Sequence, residues 1–130
     1  MSSTANTASN QQALRQDLPR ELAQFNGDLD RYRHWTRKLI FTPGIKHLAE
    51  RAGAFWLVDL VASWQLEGKG AAEQFQVWTL AVRSDQTATA TATDGNRAEI
   101  ARQEIPFTDF PLDEITVWFD GGTLMLPSEY

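Results

Sequence analysis

The chain has 130 residues, the length of one domain, and its 42% hydrophobic and 11% aromatic content favours a folded protein over a disordered one. The absence of cysteine excludes disulfides, thiolate nucleophiles and cysteine-based zinc or iron–sulfur sites. The net charge of −5 is unevenly divided: residues 1–51 have eight basic and five acidic residues, a net charge of +3, whereas residues 52–130 have four and twelve, a net charge of −8.

The N-terminal part predicts a tail and a first helix. Residues 1–12 are rich in Ser, Thr, Asn and Gln and predict a disordered tail, followed by a single α+β domain over residues 13–130. Apolar residues three or four positions apart predict a helix over Ala13–Phe25, but Pro19 interrupts this pattern and favours a shorter helix over Leu18–Phe25. No signal peptide pattern or membrane-length apolar run occurs, so we expect a cytoplasmic protein without membrane contact.

Two further helices are predicted in the middle of the chain. Thr42 and Pro43 have the chemistry of an N-cap and a first helical position, and Gly53 is suited to end that helix. The next segment, Ala54–Gln65, is apolar nearly all round and predicts a buried central helix. A mobile connection is expected over Leu66–Ala72, because it contains two glycines.

The second half of the chain has the period of two that is typical of β-strands. Strands are predicted at Phe75–Val82, Thr87–Thr93, Glu99–Ile105, Ile115–Phe119 and Thr123–Leu126, with a further short strand possible at Lys38–Phe41. The predicted fold class is therefore α+β, an antiparallel four- to five-stranded meander covered on one face by two or three N-terminal helices.

Two stretches resemble a known family. These are LIFTPGIKHLAERAGAFWLVDLVASWQ, residues 39–65, and WFDGGTLMLPSEY, residues 118–130. They are similar to a family of short bacterial, phage and plasmid proteins known only as a domain of unknown function. The resemblance implies a mobile-element setting, in which small proteins often antagonise host defence systems by binding their components. It brings no catalytic signature.

The stretch of residues 31–51, called here the basic segment, is the first candidate site. It has six Lys or Arg residues and one acid, and Arg next to Tyr and Trp occurs both in protein hot spots and in base-stacking sites. The residues predicted to contact a partner are Arg31, Arg33, His34, Trp35, Arg37, Lys38, Lys46 and Arg51. The alternative is an ordinary solvated face whose aromatic side chains point into the core.

The acidic C-terminal half is the second candidate site. A carboxylate array competes with phosphates for a basic groove, because it presents the same charge. The residues of this candidate surface are Asp109, Asp113, Glu114, Asp120 and Glu129. The alternative is that these acids only keep the protein in solution.

Catalytic patterns are missing from the sequence. His34 and His47 stand in no metal-ligand spacing, and no GxSxG or P-loop pattern occurs, so we predict no catalytic residues, no metal and no cofactor. Asp59 lies within the apolar third helix and is expected to pair with Lys46, His47 or Arg51.

The combined prediction is a non-enzymatic protein that binds another protein, in the manner of an anti-CRISPR inhibitor of a host defence complex. Its expected partner is a nucleic-acid-handling complex rather than nucleic acid itself or a membrane. Two alternatives stay open, namely a nucleic-acid-binding regulator that uses the basic segment, and a small enzyme of unknown chemistry.

Overall fold

The computed structural model describes residues 3–27, 30–66 and 72–130. The predicted connection at residues 66–72 thus lies largely outside the described residues, as do residues 1 and 2 of the predicted tail. In chain order the elements are α1 Ser3–Leu22, β1 Tyr32–Arg33, β2 Ile40–Phe41, α2 Pro43–Ala52, α3 Phe55–Ser63, β3 Phe75–Val82, β4 Ala88–Thr93, β5 Glu99–Ile105, β6 Glu114–Asp120, β7 Thr123–Met125 and a 3-10 turn Pro127–Glu129.

The strands form one seven-stranded sheet in the order β1-β2-β7-β6-β3-β4-β5. The predicted α+β class is confirmed, but the meander of four or five strands is wrong. From β7 to β5 every neighbouring pair is antiparallel, whereas β2 pairs with β7 in parallel, and the chain returns from edge strand β5 to place β6 on the far side of β3. The short strand considered at Lys38–Phe41 is present as β2, Ile40–Phe41, whereas the two-residue strand β1 is too short for a period of two to reveal it.

One face of the sheet packs against the helices. Trp78 and Leu80 of β3 and Val117 and Phe119 of β6 point to this face and are buried. The alanines of β4 lie beside them and are also buried, which lets the helices approach closely. Threonines dominate the other face, where Thr79 pairs with Thr91 and with Thr116.

Helices α2 and α3 agree with the sequence prediction. The Thr42 side chain accepts a hydrogen bond from Ile45 N at 3.3 Å, and Gly53 ends α2 in the left-handed conformation at φ 61°. In α3 most side chains are buried against the sheet, but Asp59 lies on the exposed side. Helix α3 is therefore buried as predicted, whereas the Asp59 carboxylate is exposed.

Helix α1 differs from both predicted ranges. It spans Ser3–Leu22, so residues 3–12, for which a disordered tail was expected, are helical, and Pro19 lies inside the helix rather than at its start. Proline removes one helical hydrogen bond, but tertiary contacts hold this helix in place. Leu18 is fully buried, and Arg15 donates to Pro111 O at 2.9 Å.

Within the described part of the chain, no helix combines the length and apolar character that crossing a bilayer requires.

Candidate functional site

The strands β1 and β2 form a hairpin whose loop, His34–Leu39, carries the most exposed aromatic side chain that the structure describes. His34 N donates to Leu39 O at 3.0 Å, and Arg37 N donates to His34 O at 2.9 Å. Arg37 adopts a left-handed φ of 63°, which completes the tight turn. Trp35 lies at the tip of the loop and is 79% exposed. This loop is called here the Trp35 loop.

His34 connects the Trp35 loop to helix α3. Its ring is only 4% exposed, and its Nδ1 accepts from Thr36 N at 3.2 Å and contacts Thr36 Oγ1 at 2.7 Å. Because a backbone N–H can only donate, Nδ1 is the unprotonated nitrogen and Nε2 bears the hydrogen. Nε2 donates to Asp59 Oδ1 at 2.6 Å, which ties the loop to α3.

Asp59 also fixes the exposed tryptophan. Trp35 Nε1 donates to Asp59 Oδ1 at 3.2 Å, and the Trp35 and His34 rings lie 5.4 Å apart. The expectation that Asp59 pairs with Lys46, His47 or Arg51 is wrong, because Asp59 lies on the outward side of α3 and faces the Trp35 loop.

A shallow cleft of about 300 Å³ lies between the Trp35 loop and α3. Its apolar floor is formed by Phe55, which is 43% exposed, and by the buried Phe41, whose ring meets Phe55 edge-to-face at 6.4 Å. Its remaining lining comes from Arg33, His34, Trp35 and Asp59. Trp35 and Phe55 together give the cleft two accessible aromatic surfaces.

Three basic residues lie in the Trp35 loop or next to it in the chain, and one of them, Arg33, also lines the cleft. The side chains of Arg33, Arg37 and Lys38 are exposed and make no ion pair with any residue that the structure describes. Unpaired positive charge therefore accompanies the exposed Trp35 in and beside this loop. We call the five residues Arg33, Trp35, Arg37, Lys38 and Phe55 the Trp35 surface.

The other predicted members of the basic segment make contacts within the chain. Lys46 donates to Glu50 at 2.9 Å and lies 5.3 Å from the centre of the Tyr32 ring. Arg31 donates to Asp30 O at 2.7 Å. Lys46 is thereby neutralised, and the Trp35 surface holds the positive charge of this region that is not paired.

Arg51 belongs to a cluster that joins α1 to α2. Its guanidinium makes two hydrogen bonds to the Glu21 carboxylate at 2.9 and 3.1 Å, and His47 Nε2 contacts Glu21 at 2.6 Å. Together Arg51 and His47 lower the pKa of Glu21 from its usual 4.5 to about 2. This cluster links helix α1 to helix α2.

Glu129, predicted to lie on an acidic surface, is buried. Its carboxylate is enclosed by the N-terminus of α2 and accepts from Thr42 Oγ1 at 2.5 Å, from Gly44 N at 3.1 Å and from Leu126 N at 3.0 Å. The backbone amides at a helix N-terminus favour a negative charge, which explains why an acid occupies this position. Its prediction as a surface residue is therefore wrong.

The remaining acids of the second candidate site lie in two places. Asp109, Asp113 and Glu114 are exposed around the start of β6, where Arg15 pairs with Asp113 at 3.0 Å and lowers its pKa. Asp120 ends the same strand, roughly 20 Å from Glu114 at about 3.4 Å per residue. The structure does not bring the predicted acids together on one surface.

Both ring nitrogens of His34 form hydrogen bonds, and Nε2 of His47 contacts Glu21, so these three nitrogens already have partners within the chain. Over the residues that the structure describes, no group of three or more His, Asp and Glu side chains is placed to hold a metal ion.

Sequence reasoning found the segment that contains Trp35 and its cationic neighbours but missed Phe55 and Asp59 as parts of the same site. Phe55 and Asp59 come from α3, twenty or more positions further along the chain, and nothing in the local pattern pairs them with the Trp35 loop. An aromatic residue at the first position of the apolar helix α3, where the helix end meets solvent, is the sequence signal that points to Phe55.

Comparison with known proteins places the chain in a family. No curated protein and no solved structure matches it. A family model described as "Family of unknown function (DUF6876)" matches residues 16–130, which include the Trp35 loop and the whole sheet. This confirms the resemblance to an uncharacterised family that the sequence suggested, and the chain belongs to the family of unknown function DUF6876.

Proposed function

We propose that this protein acts by binding another protein through the Trp35 surface. One observation carries the proposal: Trp35 is 79% exposed and yet held in place by the hydrogen bonds of the Trp35 loop and of Asp59. A free tryptophan at a loop tip would lose conformational entropy on binding. A fixed one loses less, and this favours binding.

The contacts available at Trp35 are large enough to support such a role. Burying a tryptophan removes up to about 200 Å² from water, which at about 25 cal/mol/Å² contributes roughly 5 kcal/mol before the costs of association. Phe55 extends the apolar area, and tryptophan and arginine are the residue types that dominate binding hot spots.

The charges indicate the chemistry of the partner. Arg33, Arg37 and Lys38 fit a surface that offers an apolar pocket bordered by Asp or Glu. The net charge of −5 over the whole chain opposes a long polyanion, so we favour a protein over nucleic acid.

The family resemblance extends the proposal to the role of the complex. In this extended form the partner belongs to a nucleic-acid-handling host defence complex, and the protein inhibits it stoichiometrically by covering a surface that the complex needs. The mobile-element setting that the resemblance implies supports this extension.

Affinity capture from a nuclease-treated bacterial lysate, followed by mass spectrometry, tests the proposal. We expect Trp35→Ala and the double charge reversal Arg33→Glu/Arg37→Glu each to lose a protein that the wild type captures. The matched controls are Phe107→Ala, which removes another exposed aromatic, and Arg97→Glu, which reverses another exposed charge.

Retention of the partner by both Trp35-surface variants would contradict the proposal. Capture that disappears after nuclease treatment, together with a salt-sensitive shift of nucleic acid by the pure protein, would instead support the nucleic-acid-binding alternative.

A further inference from the structure

The strand β5 forms the free edge of the sheet opposite the Trp35 surface. It spans seven residues, Glu99–Ile105, and pairs only with β4 among the described strands. Its outward N–H and C=O groups can therefore accept another strand. The sheet order puts β5 six strands from β1, roughly 29 Å at about 4.8 Å per strand, so this edge is separate from the Trp35 surface.

The charges of β5 are self-complementary. Arg102 and Glu104 stand two residues apart, so both side chains lie on the open face of the sheet, where they are 55% and 64% exposed. An antiparallel pair of identical strands centred on Gln103 places Arg102 opposite Glu104 of the second copy, and the two-fold axis generates the same pair again.

We propose that β5 pairs with β5 of a second copy of this chain, antiparallel and centred on Gln103, so that one sheet runs through both copies. On the helix-covered face this register sets Ala101 opposite Ile105 of the second copy, a small side chain against a large one. Centring the pair on Arg102 would instead place two arginines face to face. The charges thus select one register.

The existing partners of these charges support the pairing. Arg102 contacts Glu99 at 2.8 Å, and Glu104 accepts from Arg83 at 3.1 Å and from Thr89 at 2.9 Å. These contacts hold Arg102 and Glu104 above the open face, and exposed ion pairs of this kind are weak enough to share their charges with a second copy. The dimer joins them into one network across the axis.

A two-strand contact of this length is small, so we expect weak and reversible dimerisation that depends on protein concentration. Sedimentation velocity over a concentration series tests it with the full chain. We expect Arg102→Glu and Glu104→Arg each to weaken self-association about tenfold or more, because each sets like charges opposite each other twice. Arg97→Glu, in the turn before β5, is the matched charge control and should associate like the wild type.

Mixing the two variants gives the decisive measurement. The Arg102→Glu variant has acidic residues at positions 102 and 104, and the Glu104→Arg variant has basic residues at both. An equimolar mixture should therefore form a heterodimer, whereas each variant alone should stay monomeric. Melting curves of each variant check that it is folded. A wild type that stays monomeric at the highest concentration, or a mixture that stays monomeric, would overturn the proposal without affecting the proposed function of the Trp35 surface.

Discussion

Glu129 shows how one residue near the C-terminus organises the start of a helix. Its carboxylate accepts hydrogen bonds from Thr42, Gly44 and Leu126, so the 3-10 turn is fastened to the N-terminus of α2. A Cβ atom on Gly44 would lie 2.5 Å from Glu129 Oε1 and 2.6 Å from Leu126 Cδ1. The close approach requires glycine at this position.

Replacing Gly44 with alanine therefore tests how much the close contact between Gly44 and Glu129 stabilises the protein. In an ordinary helix this change stabilises by up to about 1 kcal/mol. Here we expect a loss of about 1–3 kcal/mol, because Glu129 must move and its charge-assisted hydrogen bonds weaken. Urea denaturation measures it, with Gly95→Ala as the control, since a Cβ there would be an ordinary 3.7 Å from Phe75. A Gly44→Ala protein as stable as the wild type would refute this account.

The Glu21 cluster makes a pH-dependent contribution to stability. The pKa of Glu21 in the folded protein is lowered from 4.5 to about 2 by Arg51 and His47, so its ionised form favours folding. This stabilisation is fully present above pH 4.5 and is lost as the pH falls through about 2.

Glu21→Gln should consequently melt below the wild type at pH 7, and the difference should shrink between about pH 4.5 and 2. Thermal melts over this pH range measure the effect. Glu114→Gln removes an exposed carboxylate that has no ion pair among the described residues and should show no such trend. A Glu21→Gln deficit that is the same at every pH would contradict the assignment.

At the scale of elements, helix α1 carries an internal proline that its tertiary contacts tolerate. Pro19 is exposed, lacks an N–H, and sits four residues after Arg15, whose side chain is bound to Asp113 and Pro111. Proline in a helix interior lowers the free energy of unfolding by about 3 kcal/mol. Because proline also restricts the unfolded chain, it raises the same free energy by at most about 1 kcal/mol.

Pro19→Ala should for this reason raise the free energy of unfolding by about 1–2 kcal/mol. Guanidinium denaturation followed by helical circular dichroism measures the change. A lower stability would show instead that the proline ring itself is needed for packing against the groove lined by Leu22 and Leu126.

Helices and strands that have a periodic pattern, turn residues or capping residues could be predicted from the sequence, and those without such features could not. The bounds of β3 and β5 agree with prediction, because β3 has a period of two and the turn residues Asp94, Gly95 and Asn96 precede β5. Thr42 and Gly53 likewise located α2 through their capping chemistry. The predicted start of α1 was too late, because its polar first turns carry no apolar pattern.

At the scale of the whole molecule, the topology joins segments that the sequence keeps apart. The parallel contact of β2 with β7 places the Trp35 loop beside the last hairpin, and α3 supplies Asp59 and Phe55 from below. The exposure of Trp35 was predictable from its polar neighbours. The carboxylate that holds it was not, because long-range hydrogen bonds leave no periodic trace in a single sequence.

Calorimetry with the captured partner compares its affinity for the wild type and for Trp35→Ala. We expect Trp35→Ala to lose at least about 2 kcal/mol of binding free energy, roughly thirtyfold in Kd, while Phe107→Ala binds like the wild type. Equal affinities for the wild type and Trp35→Ala would contradict binding through Trp35 and remove the Trp35 surface from the interface.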